Sequence, residues 1–507
     1  MEFGSKVRSL SLLMFLLLTL ESSFIFPSYS KSIVKSLPGY PGDLPFKLET
    51  GYVGVGEKEE AQLFYYFIES ERNPEEDPLI YYLTGGPGCS AIITVFYEIG
   101  PLSFNFDNAP ENITISLSPY SWTKMANVIY VDIPAGTGFS YGTTKEASIS
   151  SDSILVKQSI EFIQKFLTDH PKFLKNPLYI AGISYMGIIT PVVTLEAYKG
   201  KGANERGDQP SLNIQGYILC SPLTDKFTDF NSRLEYAHRT ALISDDIYNG
   251  AIGNCHGDYR NTNSANAVCR DSLQRYEECT SRLNLEDILD PFCNTSYPEP
   301  NCRYYYYYLS EEWTNNKVVQ EALGVREGTI GKWEFWNQTI QYAERKNDTF
   351  CYAYDIFSSV PHHKKLVSKN CRGLIFSGDQ DMTFPYVGIE QWIVSLNLPV
   401  NNPWKPFYVD NQVGGYEMTY AQNEFSLTFA TVKGAGHSVP QYKPKESLYL
   451  AEKWLASKTY SSAILNFVSF DAATKRQLLI EVNNDLILIM FVHYGKVLMT
   501  RTCQRPY

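Results

Sequence analysis

The chain has 507 residues, 44% hydrophobic and 20% charged, with a net charge of −11. At ~100–200 residues per domain, that length exceeds one small core, and the composition is that of a globular protein. The acidic balance repels phosphate backbones and anionic lipid, which argues against a nucleic-acid-binding role.

The first thirty residues have the layout of a secretory signal. Lys6 and Arg8 precede an apolar run from Leu10 to Leu20, and Ser28 and Ser30 offer small residues for cleavage. The run is shorter than the ~20 residues a membrane span needs. The expectation is a signal peptide over 1–30 and no membrane association after cleavage. Ten cysteines then suit an oxidising compartment, and the N-x-S/T sequons at Asn112, Asn294, Asn337 and Asn347 become usable glycan acceptors. The predicted location is the secretory route, vacuolar or extracellular.

Short apolar runs follow, each ended by Gly, Pro or Asp. Leu79–Leu83, Val128–Asp132, Leu178–Ala181, Gln215–Leu219, Leu374–Ser377 and Leu427–Val432 read as strands buried on both faces. Ser153–Leu167 has helical spacing, Ile188–Ala197 is helix-compatible, and Pro444–Lys458 reads as a late helix. Alternating strands and helices predict an α/β fold with a mainly parallel central sheet. The core is assigned to 31–229 and 348–460. Residues 230–347 hold five of the ten cysteines and the Tyr304–Tyr308 run, and read as an inserted, disulfide-stapled cap. The segment 461–507 reads as an atypical tail, with Leu486–Val492 too short to span a bilayer.

The chemistry centres on Gly182-Ile183-Ser184-Tyr185-Met186-Gly187, directly after a predicted strand and before helix-compatible sequence. A strand–Ser–helix turn presents the hydroxyl at the sheet's C-terminal edge, over a helix N-terminus that favours a developing oxyanion. A serine needs a base, and the base an orienting carboxylate; in the α/β-hydrolase fold they follow in the order Ser, acid, His. Gly378-Asp379-Gln380-Asp381 and Gly434-Ala435-Gly436-His437 each follow a predicted strand, in that order. The glycine-rich Thr84-Gly85-Gly86-Pro87-Gly88-Cys89-Ser90 loop lies where such a fold places its second oxyanion donor. This chemistry needs neither metal nor cofactor. His362-His363 lacks ligand spacing and reads as a solvated loop.

Six motifs in order resemble the plant serine carboxypeptidase-like family (peptidase S10): Leu37–Tyr40, Leu83–Ser90, Tyr97–Pro101, Gly182–Gly187, Gly378–Pro385 and Gly434–Pro440. The resemblance spans Ser36 to Leu455 and implies an α/β-hydrolase fold. It implies Ser184 as nucleophile, Asp381 as its acid, His437 as base, and Gly86 and Tyr185 as oxyanion N–H donors, with Asp379 a structural turn carboxylate. It also implies a long-range Cys89–Cys351 disulfide. Cys255–Cys269 and Cys293–Cys302 are expected as local bridges, with Cys279 and Cys503 unassigned.

The family as described by this resemblance divides into carboxypeptidases and acyltransferases that draw on 1-O-β-glucose esters. The peptidases bind a terminal carboxylate through an Asn in the glycine-rich loop, a Glu before the nucleophile and a further Glu. Here those positions are Thr84, Ile183 and Glu98, with Gly85 beside them. Acyltransferases usually carry Asp where Ile183 stands. Thr84 and the wording of Leu37–Gly56 and Tyr97–Leu102 resemble the acyltransferase branch. The expected partners are a small acyl-glucose donor and a hydroxyl acceptor; the alternatives are a peptide C-terminus, or a weakly active or non-catalytic relative.

Overall fold

The computed structural model describes residues 29–105, 113–200, 210–260, 266–293, 302–337, 352–466, 478–482, 486–493 and 496–502. Eleven strands follow one another across the main sheet. They are β1 Tyr29–Val34, β2 Leu48–Val55, β3 Ala61–Ile68, β4 Leu79–Leu83, β5 Asn127–Val131, β6 Leu178–Ile183, β7 Ile214–Cys220, β8 Arg372–Gly378, β9 Val400–Val409, β10 Gln412–Gln422 and β11 Phe425–Val432. Their spatial order is β1-β2-β3-β5-β4-β6-β7-β8-β11-β10-β9, and the short strand Tyr141–Gly142 pairs with β3. Every pair from β5 through β11 is parallel; the flanking pairs are antiparallel.

All five residues of β4 and of β5 are buried. Covered on both faces, such strands gain from continuous hydrophobicity rather than alternation, which made them legible. Helix α1 (Asp152–Asp169) lays Leu155, Phe162, Ile163 and Phe166 over Leu79, Tyr81, Ile129 and Ile180, together with Ile188 and Ile189 of α2 (Met186–Gly200). Ser151 caps α1 by accepting from the Ile154 N–H at 3.2 Å.

Between β7 and β8 the described residues are mainly helical: α3 Lys226–Arg239, α4 Asp245–Cys255, α5 Ala267–Thr280, α6 Arg303–Thr314, α7 Lys317–Ala322 and α8 Val360–Leu366. Leu234 and Ala237 of α3, Ala251 of α4 and Leu273 of α5 bury a small core of their own against Met382 and Val387. Disulfides join Cys255 to Cys269 and Cys293 to Cys302. Cys89, Cys220, Cys279 and Cys371 are in no disulfide, so Cys89 departs from the bridge to Cys351 that the resemblance implies. The tyrosine run lies on α6, where Tyr307 packs inward while Tyr306 and Tyr308 are exposed. The Tyr307 hydroxyl donates to Gln441 Oε1 at 2.8 Å.

His362-His363 corrects the solvated-loop expectation. Both lie on α8, which turns Val360, His363 and Leu366 to one side at three-residue steps. His363 is fully buried, with its Nδ1 2.8 Å from the Tyr217 hydroxyl and its ring 4.5 Å from that of Trp392. Burial holds its pKa down at about 3. It is a neutral core histidine.

The chain divides into two compact units, Met1–Ala451 and Glu452–Tyr507. In the second, Leu478–Val482, Leu486–His493 and Lys496–Thr502 pair antiparallel. The late helix runs over Pro444–Asn466. No helix among the described residues is long and apolar enough to cross a membrane. Residues 1–28 of the predicted signal peptide (1–30), Cys351, Cys503, Asn112, Asn294 and Asn347 lie outside the described residues, while residues 29 and 30 open β1.

Candidate active site

Because β4, β6, β7, β8 and β11 run parallel, their C-terminal ends share one edge of the sheet. The loops that follow them meet there. Four of these loops carry the predicted site: Thr84–Ser90 after β4, Ser184 after β6, Asp381 after β8 and His437 after β11.

Ser184 has φ 60°, a left-handed conformation that a non-glycine residue adopts only where its surroundings enforce it. Three backbone hydrogen bonds do so. Its N–H donates to Cys220 O at 3.0 Å, and its carbonyl accepts from Gly187 N at 3.0 Å and Leu223 N at 2.9 Å. Ser184 is half-buried, two residues before the N-terminus of α2. No described residue accepts from or donates to its hydroxyl, an open arrangement common before substrate binds. A methyl group on Gly85 would lie 2.9 Å from Ser184 Cβ, so only glycine lets the loop come this close. The N–H groups of Gly86 and Tyr185 have no acceptor among the described residues.

His437 and Asp381 are both buried, with His437 Nδ1 2.8 Å from Asp381 Oδ2. Asp381 Oδ1 accepts from Thr383 N at 2.7 Å and Phe384 N at 3.2 Å, which fixes its plane. The Phe384 ring lies 5.6 Å from that of His437. Cys220 connects the two halves: its carbonyl receives the Ser184 N–H, and its Sγ is 3.9 Å from His437 O. Asp379 is turned away as a structural carboxylate, accepting from Gly434 N at 2.7 Å and Gln380 Nε2 at 2.9 Å.

Burial favours neutral imidazole at His437, but the attraction of Asp381, with Glu286 and Glu98 beyond it, outweighs that. The net shift is upward from the ordinary histidine range. A general base must be neutral, so kcat/KM for ester hydrolysis is expected to fall as pH drops through a value above ~6.5. A pH–rate profile that stays flat from pH 5 to 8 would contradict this.

Of the predicted substrate-binding residues, Thr84 and Glu98 share one hydroxyl network. The hydroxyls of Thr84 and Thr94 are 2.8 Å apart, Thr94 donates to Glu98 Oε2 at 3.1 Å and the Tyr82 hydroxyl does so at 3.4 Å. Ser438, beside the base, donates to Glu98 Oε1 at 3.0 Å. Burial pushes the Glu98 carboxyl up, opposed by these donors. Ile183, at the end of β6, is buried and brings no polar group.

Three groups that brace this constellation escaped the sequence reading. Asp132 is fully buried at the end of β5; its Oδ1 accepts from Ser90 Oγ at 2.9 Å and Ala91 N at 2.7 Å, and its Oδ2 from Phe139 N at 2.9 Å. It anchors the far end of the glycine-rich loop, whose outer side is held by Ser90 N→Phe335 O (2.9 Å) and Asn337 N→Gly88 O (3.0 Å). Asp152 accepts from the Tyr185 hydroxyl at 2.6 Å and the Tyr352 hydroxyl at 2.8 Å. Glu286, from the inserted helical region, accepts the His437 N–H on its carbonyl at 2.6 Å. A methyl on Gly436 would lie 2.4 Å from that same oxygen, which explains the glycine before the base. Asp132 had a visible signal, an acid ending an apolar strand; the other two follow only from the packing.

This geometry can be set beside known proteins. A family model for serine carboxypeptidases (peptidase S10) matches residues 38–457. The chain belongs to this family. Serine carboxypeptidase-like 2 of Arabidopsis thaliana is 44% identical over 448 residues, 88% of this chain and 97% of that protein. Serine carboxypeptidase-like 16 of the same plant is 44% identical over 456 residues, covering 90% and 99%. Among solved structures, a prohormone-processing carboxypeptidase from Saccharomyces cerevisiae aligns with a TM-score of 0.66 at 18% identity, covering 92% of this chain and 98% of that one. That likeness establishes the α/β-hydrolase fold of a serine carboxypeptidase family member.

Proposed function

We propose that the protein is an acyltransferase that moves an acyl group from a 1-O-β-glucose ester to an acceptor hydroxyl, through an acyl-enzyme on Ser184. The observation that carries the acyl-enzyme step is the buried His437–Asp381 pair at 2.8 Å on the same sheet edge as a strained Ser184. His437 takes the Ser184 proton while Oγ bonds to the ester carbonyl carbon, and the Gly86 and Tyr185 N–H groups stabilise the oxyanion. The bond to the sugar oxygen then breaks, and His437 hands that oxygen the proton. An acceptor hydroxyl, deprotonated by His437, repeats the steps in reverse. A preorganised oxyanion donor of this kind is worth ~10²–10³ in rate.

Transfer is favoured over peptide hydrolysis by Ile183 and Thr84. An isoleucine side chain offers a peptide carboxylate no proton or hydrogen bond, and the Thr84 hydroxyl already pairs with Thr94. The second reading, a carboxypeptidase, draws support from Glu98, whose raised pKa suits a neutral acid beside a substrate carboxylate. One assay separates them. Purified protein and its Ser184→Ala variant receive acyl-glucoses with alcohol acceptors and, separately, N-blocked dipeptides. The expected result is Ser184-dependent ester formation; Ser184-dependent release of C-terminal amino acids without acyl transfer sinks the transferase reading.

The same proposal keeps a signal peptide over 1–30, a vacuolar or extracellular location, a cap over 230–347 and glycans at the four sequons. At Asn337 the side-chain Nδ2 donates to Gly136 O at 2.7 Å, so a glycan there would have to share that nitrogen.

A further inference from the structure

One face of α3 brings cations to the site without carboxylate partners. Lys226, Phe230 and Arg233 follow at steps of four and three residues and so share a side of the helix. Lys226 Nζ lies 5.7 Å from the Tyr185 ring, 4.8 Å from that of Tyr354 and 5.1 Å from that of Phe357. The Phe230 ring packs 5.7 Å from that of Phe384, the residue that borders His437. Arg233 donates to Thr383 O from Nε at 3.1 Å and Nη2 at 2.7 Å. Arg260, exposed, lies over the Phe230 ring at 4.0 Å, and Arg233 approaches the same ring at 4.8 Å.

None of these three cations has a carboxylate within ion-pair distance among the described residues. The acids in the neighbourhood are already engaged. Asp152 serves Tyr185, Tyr352 and the Ile356 N–H; Asp355 accepts from Ser153 N; Asp381 serves His437. Asp229 accepts from Thr224 N and Asp225 N, and burial raises its pKa to about 7. In a chain with net charge −11, three cations thus line one wall next to the nucleophile and base, with Asp152 and Asp355 close enough to act on Lys226 through space. Lys226, partly desolvated among three aromatic rings and without an ion-pair partner, is an unfavourable arrangement that a bound anion would relieve. The exposed Arg260 adds a second charge that such an anion could meet.

We propose that this wall is a subsite for a carboxylate-bearing group of the substrate, with Lys226 and Arg260 as its charged contacts and Phe230 as the apolar platform between them. The proposal rests on the acyl-transfer reading, since it gives that reaction's substrate an anionic arm. It predicts that the donor or acceptor is an acid rather than a neutral alcohol or ester.

The test is an equilibrium titration that needs no turnover. Ser184→Ala protein is titrated calorimetrically with phenylsuccinate and with its uncharged diamide, alone and with Lys226→Met plus Arg260→Gln added. The dianion is expected to bind about tenfold or more tightly than the diamide, and the double change to remove that preference. A Lys226→Arg, Arg260→Lys pair is expected to restore it. Equal affinity for the two compounds, or a preference that survives the double change, overturns the subsite. If circular dichroism shows the double variant unfolded, Arg260→Gln alone, at an exposed position, must still weaken dianion binding. Labelling of Ser184 in the unmodified protein by a fluorophosphonate is read in parallel. Its failure would remove the acyl-enzyme reading while leaving the binding comparison to decide the subsite.

Discussion

Asp381→Asn is expected to lower kcat about ten-thousand-fold while leaving KM within a few-fold. The reason lies in which oxygen is committed. Asp381 Oδ1 accepts two backbone N–H groups, from Thr383 and Phe384. An asparagine at this site keeps its carbonyl oxygen there and turns its NH₂ toward His437. His437 Nδ1, 2.8 Å away, must then accept instead of donate. The ring's proton moves to Nε2, the nitrogen that should receive the Ser184 proton. The base is present, correctly placed and in the wrong tautomer. Steady-state kinetics on any ester the protein turns over checks this, and a loss of less than tenfold would mean that Asp381 does not orient the base.

Asp132→Ala is the second large effect, and it reaches the site through the backbone. The change strips an acceptor from three buried donors: Ser90 Oγ, Ala91 N and Phe139 N. Leaving buried donors unsatisfied costs about 1–3 kcal/mol each, so a loss of at least about 3 kcal/mol is expected. The glycine-rich loop loses its anchor at Ser90, so the Gly86 N–H is no longer held toward Ser184. In the variant that remains folded at low temperature, kcat should drop with KM little altered. Denaturant unfolding combined with kinetics measures both. Unchanged kcat in a destabilised protein would make Asp132 a matter of stability alone.

Much of this was readable from the chain because buried parallel strands and catalytic loops leave strong local marks. The runs at Leu79, Val128, Leu178, Gln215, Leu374 and Leu427 are strands in the sheet's parallel centre, where burial on both faces demands continuous apolar sequence. The flanking antiparallel strands went unread. In β9, eight of ten residues are exposed or partly so, and its Val-Asn-Asn-Pro-Trp-Lys-Pro sequence breaks any regular pattern. Its hairpin did carry a signal: Asp410 and Asn411, both at positive φ, form the two-residue turn that joins it to β10. His363 misled because a seven-residue helix is too short for its period to stand out. Asp152 and Glu286 could not be read at all. Their partners lie 33 and 151 residues away, at Tyr185 and His437, and only the folded chain brings them together. The positions of Ser184, Asp381 and His437 just past strand ends were legible, whereas Ile183, Thr84 and the α3 face, to which the proposals assign the choice of substrate, carry no single motif.

The most direct measurement of the central claim is the covalent state of Ser184 during turnover. Protein mixed with a 1-O-acyl-glucose in the absence of acceptor, quenched in acid and digested, should yield the peptide containing Gly182–Gly187 heavier by one acyl group. That adduct should disappear when an acceptor alcohol is added, and it should be absent from the Ser184→Ala variant. Ester product formed while the Ser184 peptide stays unmodified throughout, or an adduct on another residue, would contradict the account.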